Sequence, residues 1–364
     1  MFLLGAVQVT YGIIFGLTAV TCALQKNQTQ SLTNWYLTDT HIHALPPAYQ
    51  AALAQAGGDP SGYPTPDWSI EGTLGSMDSV NSAKAVLSVS TPGVPIAGTG
   101  SQARKLCREI NHFLEGVVAQ EPERLDFFGA LPDWRDVNGT LSEIDFLFLE
   151  QKAAVGVVFY TQYGDYLPGD PIFWPIWERL ETYNALTFMH PGLMDVKPKF
   201  IGGFLPQPII DYPQQTTRAA IDLVFRGTRS NTPHVDMILA HAGGTVPFLA
   251  TRALGSLLIG EISVNANVSV VEAEAQFRRF YYDIALSTSN TQLDGLLDNA
   301  DPSHVLVGSD YPYAPPVAIH AAHAAYLAWA VHHPELGPDV LSRNGRDLIT
   351  KHKALMSGKA PAVL

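Results

Sequence analysis

Cysteine is almost missing: Cys22 and Cys107 are the two in 364 residues. No disulfide framework, zinc ribbon or C-x-x-C redox pair can be built from them. Charge is scarce as well. The 22 Lys and Arg against 34 Asp and Glu leave a net charge of -12, and charged residues make up 15% against 46% hydrophobic. Such a chain is too apolar to stay disordered. It also has no basic stripe with which to displace counterions from a phosphate backbone, which excludes nucleic acid as a partner. The G-x-S-x-G elbow of a serine hydrolase is absent, since Gly308-Ser309-Asp310 has no second glycine. Gly98-Thr99-Gly100 lacks the third glycine of a dinucleotide loop. No linker composition and no internal repeat interrupts the chain, so residues 30–355 are expected to form one domain.

The first 25 residues carry no charged side chain, Lys26 being the first. The stretch from Gly12 to Leu24 has the length of a signal-peptide core, and Thr21-Cys22-Ala23 offers small residues for cleavage. The expectation is a leader over 1–23 and entry into the secretory pathway. An uncleaved membrane anchor or a cytosolic protein are the alternatives. N-x-S/T sequons at Asn27, Asn138 and Asn267 permit glycosylation in that pathway.

What the chain does have is alternation. Short apolar runs rich in β-branched and aromatic residues recur at 35–40, 83–90, 125–131, 155–161, 186–190, 235–241, 280–287 and 305–309. Most are apolar on both faces, as buried parallel strands are. Helical stretches lie between them, including 101–120, 139–152, 171–183, 214–226 and 315–333. Eight strands with eight crossovers predict an α/β fold, a (β/α)8 TIM barrel. Two Gly/Pro-rich stretches, 46–68 and 191–213, read as long loops on the C-terminal face, where barrel enzymes build their pockets. The tail after His352 reads as frayed.

Candidate chemistry sits at the strand ends. His41-Ile42-His43 closes the first strand, and a period of two puts both imidazoles on one side. Asp39, on the same face, or a backbone carbonyl is a candidate to orient one of the rings. His190, His241 and Asp310 end three further strands, and strand ends converge in a barrel however distant they are in sequence. His41, His43, His190 and Asp310 together supply three imidazoles and a carboxylate for one divalent metal, Zn²⁺ before Mn²⁺ or Fe²⁺. Trp134, Met189, Met194, Phe204, Tyr311 and Tyr313 adjoin strand ends or the long loops and offer flat walls for an aromatic ring. His320 and His323 share one helical face without the glutamate of a zinc-protease helix. His332 and His333 fall near a helix end, and His112, His234, His304 and His352 have no ligand-like neighbours in sequence.

The segments T-D-T-H-I-H, M-H-P, A-H-A-G-G and G-S-D-Y-P, between Trp35 and about His352, resemble the amidohydrolase superfamily, in the branch of aminocarboxymuconate-semialdehyde decarboxylase. The resemblance implies a homodimeric, metal-dependent barrel that removes CO2 from a small aromatic acid. Within that branch it resembles the type that acts on 6-methylsalicylate, giving m-cresol, or on orsellinate, in secondary metabolism. It implies His41, His43, His190 and Asp310 as metal ligands and His241 as the acid/base group, with Asp310 the other candidate for delivering the proton. It also implies Arg252 as the carboxylate's partner across a dimer interface. Residues 154–163 hold no Lys, Glu or Asp to bridge a second metal, so one metal per chain is expected. A metal-dependent hydrolase of a lactone or amide would use the same residues and is the alternative reading.

Overall fold

The computed structural model describes residues 36–357. The leader over 1–23 and the Asn27 sequon lie outside the described residues. Asn138 and Asn267 are exposed.

Eight strands run parallel, each hydrogen-bonded to the next in sequence order. They are β1 (Leu37–His43), β2 (Ser82–Ser88), β3 (Leu125–Gly129), β4 (Gly156–Tyr160), β5 (Leu186–His190), β6 (Asp236–Leu239), β7 (Tyr281–Asp283) and β8 (Val305–Leu306). Closure comes from a parallel bridge between Asp39 and Val307, where the N–H and the hydroxyl of Thr40 both donate to Val307 O at 2.9 and 3.0 Å. This is the (β/α)8 barrel expected from the alternation, and every strand overlaps its expected run. The strands are buried on both faces because helices cover the outside while side chains fill the inside. Val86, Phe128, Val158, Phe188, Ile238 and Leu306, from six strands, pack together in that core.

Among the described residues, eleven helices of nine residues or more belong to the crossovers and the last segment after β8. They are α1 (Pro47–Gln55), α2 (Ile70–Ser79), α3 (Ser101–Gln120), α4 (Val137–Asp145), α5 (Trp174–Thr182), α6 (Gln207–Phe225), α7 (Val246–Ser256), α8 (Val270–Arg278), α9 (Asn290–Asn299), α10 (Pro316–Ala330) and α11 (Pro338–Met356). In α3, Ala103, Leu106, Ile110, Leu114 and Val117 recur at helical spacing and are buried, as is Cys107. Among the described residues no helix is long and apolar enough to cross a membrane.

Three expectations about the loops need correction. The stretch 46–68 contains α1, which opens on Pro47, a residue suited to a first helical turn. The stretch 191–213 turns helical at Gln207, so that Pro213 lies inside α6, where its carbonyl accepts from the Thr217 hydroxyl at 3.2 Å. The tail does not fray at His352: α11 continues to Met356, held by an ionic clasp. His352 Nε2 and Lys351 Nζ meet Asp236 Oδ2 at 2.7 and 2.6 Å, and Lys353 Nζ meets Asp126 Oδ1 at 2.6 Å. His352 is thus a buried partner of the barrel's lower rim, where sequence spacing showed it none.

Candidate metal centre

His41 and His43 end β1, His190 ends β5, and Asp310 stands in the turn after β8. All four are buried, and one potential ligand atom from each lies within 4.8 Å of the others. Residues spread over 270 positions therefore meet at one point, as the strand-end argument requires. The turn after β8 is bound directly to β1: the N–H groups of Ser309 and Asp310 both donate to His41 O (3.1 and 2.8 Å), and His43 N–H donates to Tyr311 O (2.7 Å). A Cβ on Gly308 would lie 2.7 Å from His41 Cβ, so the glycine of G-S-D permits this approach. Asp310 takes a positive φ of 62° and His241 one of 55°, sparsely populated backbone of the kind that functional sites hold.

Every imidazole in the cluster is engaged at Nδ1. His41 Nδ1–H donates to Asp283 Oδ2 (3.0 Å) and His241 Nδ1–H to Ala285 O (3.0 Å). His190 Nδ1–H faces Pro191 O and Thr91 Oγ1, each at 3.0 Å, and the Thr91 hydroxyl itself donates to Pro191 O. His43 Nδ1–H donates to Ser88 Oγ (3.0 Å), whose own proton faces Ile42 O at 3.4 Å. Proton placement at Nδ1 leaves each Nε2 as an acceptor, the form that binds a cation. Nε2 of His41 and of His43 are buried and make no hydrogen bond, and they approach Asp310 Oδ1 at 3.5 and 3.2 Å. Two orphaned imidazole nitrogens converging on a buried carboxylate fit a divalent cation, and the chain has a divalent metal site here.

Electrostatics agree for three of these rings and differ for His41. Burial lowers the imidazoles of His43, His190 and His241, reinforced by the neighbouring rings, which keeps them neutral. Burial would lower His41 too, but Asp283 and Asp310 push it up to about 10. Burial alone would raise Asp310, yet His41 and His43 hold its carboxyl well below the usual carboxylate range.

Asp39 does not orient a histidine ring. Its Oδ1 accepts the backbone N–H groups of His41 (3.0 Å) and Ser309 (3.1 Å), so it joins β1 to the turn after β8. The ring-orienting carboxylate is Asp283 at the end of β7. The available signal was an acidic residue closing the aromatic run 280–282. At the end of β4, where a second metal would need a bridging group, stands Tyr160, whose hydroxyl donates to Val89 O (3.0 Å).

A cavity of about 380 Å³ opens over the cluster, lined in part by His190, His241 and Asp310 and walled by Tyr63, Tyr212 and Tyr313. Of the six expected aromatic or thioether walls, Tyr313 alone lines it. Trp134 is instead fully buried, stacked between Phe159 and Tyr163 at 5.1 and 5.2 Å. Met189 is buried within β5, Met194 lines a neighbouring cavity, Phe204 is exposed and Tyr311 packs against a separate small core. Arg252 is exposed on α7 and lines no part of this cavity. The remaining histidines stand apart: His320 bonds Ser79 Oγ (2.9 Å), His234 pairs with Glu181, and His333 stacks on Trp329.

A parallel eight-stranded barrel with three imidazoles and one carboxylate gathered at its strand ends defines a metal-dependent amidohydrolase-type barrel. The chain belongs to the amidohydrolase family, whose model matches residues 38–348, and within it to the decarboxylase branch implied by its motifs. It is 39% identical over 287 residues to the decarboxylase yanB of Aspergillus niger, covering 76% of this chain and 77% of that one. It is 37% identical over 284 residues to the 6-methylsalicylic acid decarboxylase of Penicillium expansum, covering 77% and 86%. Among solved structures, a dihydroxybenzoic acid decarboxylase from Polaromonas with bound manganese and an inhibitor shares the fold, with a TM-score of 0.68 at 18% identity over 87% of this chain and 96% of that one.

Proposed function

We propose that this chain is a carboxy-lyase, a metal-dependent, non-oxidative decarboxylase of a small phenolic acid of the 6-methylsalicylate or orsellinate type. The observation that carries the reading is the convergence of His41, His43, His190 and Asp310 beneath a tyrosine-walled cavity of suitable size for one substituted benzoate. The likeness to named decarboxylases supports it. Those four residues would hold the cation, and the imidazole-rich donor set favours Zn²⁺. When bound, the cation supplies a Lewis acid that fixes the substrate's carboxylate and its ortho hydroxyl.

The chain's own groups then have two tasks. The tyrosine walls hold the ring and exclude water, so that a proton goes to the intended carbon. His241, whose Nδ1 is engaged by Ala285 O and which lines the cavity, takes up the proton of the substrate's ortho hydroxyl at Nε2 as the acid binds and delivers it to the ring carbon bearing the carboxylate. The new C–H bond takes a pair of ring electrons. The bond to the carboxylate then breaks, its electron pair restores the aromatic ring, and CO2 leaves. Asp310 is the alternative donor.

Arg252 is exposed and lines no part of its own cavity, and we assign it to the substrate of a second copy in a homodimer. Residues 1–23 are assigned as a secretory leader, so the secreted chain should start after that segment.

The test is metal analysis of the purified protein together with CO2 release from salicylates, including 6-methylsalicylate and orsellinate. About one divalent ion per chain with CO2 and the corresponding phenol is the expected result. A bound ion with lactone or amide opening and no CO2 would replace the reading with a hydrolase, and a chain that binds no metal would overturn it.

A further inference from the structure

The cavity over the cluster has charge of one sign. Among its lining residues there is no Lys or Arg, while two carboxylates face it, Asp310 at the metal cluster and Asp59 in the segment after α1. Tyr313 links their surroundings: its ring meets that of the cluster's His43 edge-on at 5.6 Å, and its backbone carbonyl accepts the hydroxyl of Tyr63, in the segment that carries Asp59, at 2.9 Å. Asp59 Oδ1 accepts the Ser61 N–H at 2.8 Å, with the Ser61 hydroxyl close by. Ser61 alone supplies Asp59's hydrogen-bond donors among the described residues, fewer than the roughly four a carboxylate can accept, and burial raises this carboxyl. The nearest cation acting on it, Lys199, is exposed and lies over the Phe200 ring at 5.4 Å.

An aromatic acid entering this space has one way to lie. Its carboxylate is repelled by Asp59 and belongs at the cluster, which leaves the far edge of the ring toward Asp59. A methyl or bare C–H there would sit against a half-buried carboxylate with an unfilled acceptor, an unfavourable contact. A hydroxyl there would donate to it. Resting on the decarboxylase reading above, we infer that Asp59 is a specificity-determining residue that accepts a hydrogen bond from a ring hydroxyl remote from the carboxylate. The preferred substrate class is therefore the dihydroxylated acid, with orsellinate preferred over 6-methylsalicylate, which lacks that second hydroxyl.

The variant that isolates this role is Asp59→Asn. Its side-chain oxygen still caps the Ser61 N–H, so the turn survives, but an NH2 replaces the carboxylate oxygen that would accept the hydroxyl proton. Values of kcat/KM for orsellinate and 6-methylsalicylate are compared in the metal-loaded wild type and variant, with Kd for both acids measured by calorimetry on the same proteins. The expected result is a wild-type preference for orsellinate that falls roughly tenfold or more in the variant, the loss of one hydrogen bond to a charged group. A wild-type preference for 6-methylsalicylate, or a ratio unchanged by the substitution, would overturn the inference. If neither acid loses CO2, the decarboxylase reading fails by itself. The two Kd values then decide the role of Asp59: selective weakening of orsellinate in the variant upholds it, and equal Kd ratios overturn it.

Discussion

Asp283 Oδ2 accepts the Nδ1–H of His41 at 3.0 Å, while its Oδ1 accepts the backbone N–H groups of His241 (3.2 Å) and Ala285 (3.0 Å). One fully buried carboxylate thus orients a proposed metal ligand and sets the backbone from which the proposed proton donor projects. Replacement by alanine frees the His41 ring to turn and leaves three buried donors unsatisfied. Asp283→Ala is expected to weaken metal affinity by roughly 10- to 100-fold although Asp283 itself is not needed as a ligand. Chelator competition measures this directly, and unchanged affinity would show that the ring needs no such support.

The ligand residues and the proton donor separate by what they lose. His190→Ala and Asp310→Ala remove donors from the cluster and should abolish both stoichiometric metal and activity. At 241 the backbone is left-handed, a region asparagine tolerates better than most residues, so His241→Asn keeps the turn while removing the imidazole. It should retain about one metal per chain and lose roughly 10²- to 10⁴-fold in kcat. Metal content by emission spectroscopy beside single-turnover CO2 release separates the two classes. Full activity in His241→Asn would transfer the proton to Asp310.

Much of this centre was legible because its residues obey strand geometry. The period of two in T-D-T-H-I-H aligns His41 with His43, and M-H-P, A-H-A-G-G and G-S-D-Y-P each place a polar residue where an apolar run stops. A backbone carbonyl was among the expected partners of the rings, but which groups fix them was not legible. Ser88, Thr91 and the carbonyls of Pro191 and Ala285 are ordinary groups whose role exists only once distant strands meet. Asp283 was hidden for a different reason: β7 is three residues long, so no alternation marks its inner face. Trp134 shows the reverse failure. A tryptophan at a strand end suggests a pocket wall, but its rings gain more by stacking on Phe159 and Tyr163 and meeting Trp177 edge-on in the helix layer. Cavity residues such as Asp59 and Tyr212 lie in or beside stretches read as loop, where periodicity carries no information.

At the opposite rim, stability should depend on pH through Asp236. Burial by itself raises its carboxyl, but the hydrogen bonds from His352 and Lys351 hold it well below the usual carboxylate range. A carboxylate depressed in the folded state stabilises above its ordinary value near pH ~4 and loses that contribution as pH falls toward the folded value. Wild-type Tm is therefore expected to fall as the protein is acidified below about pH 4. Asp236→Asn should be less stable at neutral pH by about 2 kcal/mol and show a shallower acid decline, since it has no charge left to lose. Thermal unfolding across that range decides it, and parallel curves for the two proteins would show that the α11 clasp lies elsewhere.

The second glycine of A-H-A-G-G ties the metal face to the long crossover. Gly244 has φ 67° and ψ −113°, and a Cβ added there would lie 1.8 Å from Pro213 O, backbone against backbone. Pro213 and Gly244 both line the cavity, so α6 rests on this turn and shapes the pocket wall by doing so. No side-chain rotation can relieve such an overlap; α6 or the turn carrying His241 has to move. Gly244→Ala is expected to lose of order 3 kcal/mol of stability and to lower kcat/KM through displacement of His241. Gly260→Ala is the control, because nothing lies within 4 Å of its added Cβ and its φ is ordinary. Denaturant titration of both variants beside their turnover gives the comparison. Equal stability for the two would show that α6 yields easily, and that the close approach of Gly244 to Pro213 contributes nothing to holding the pocket.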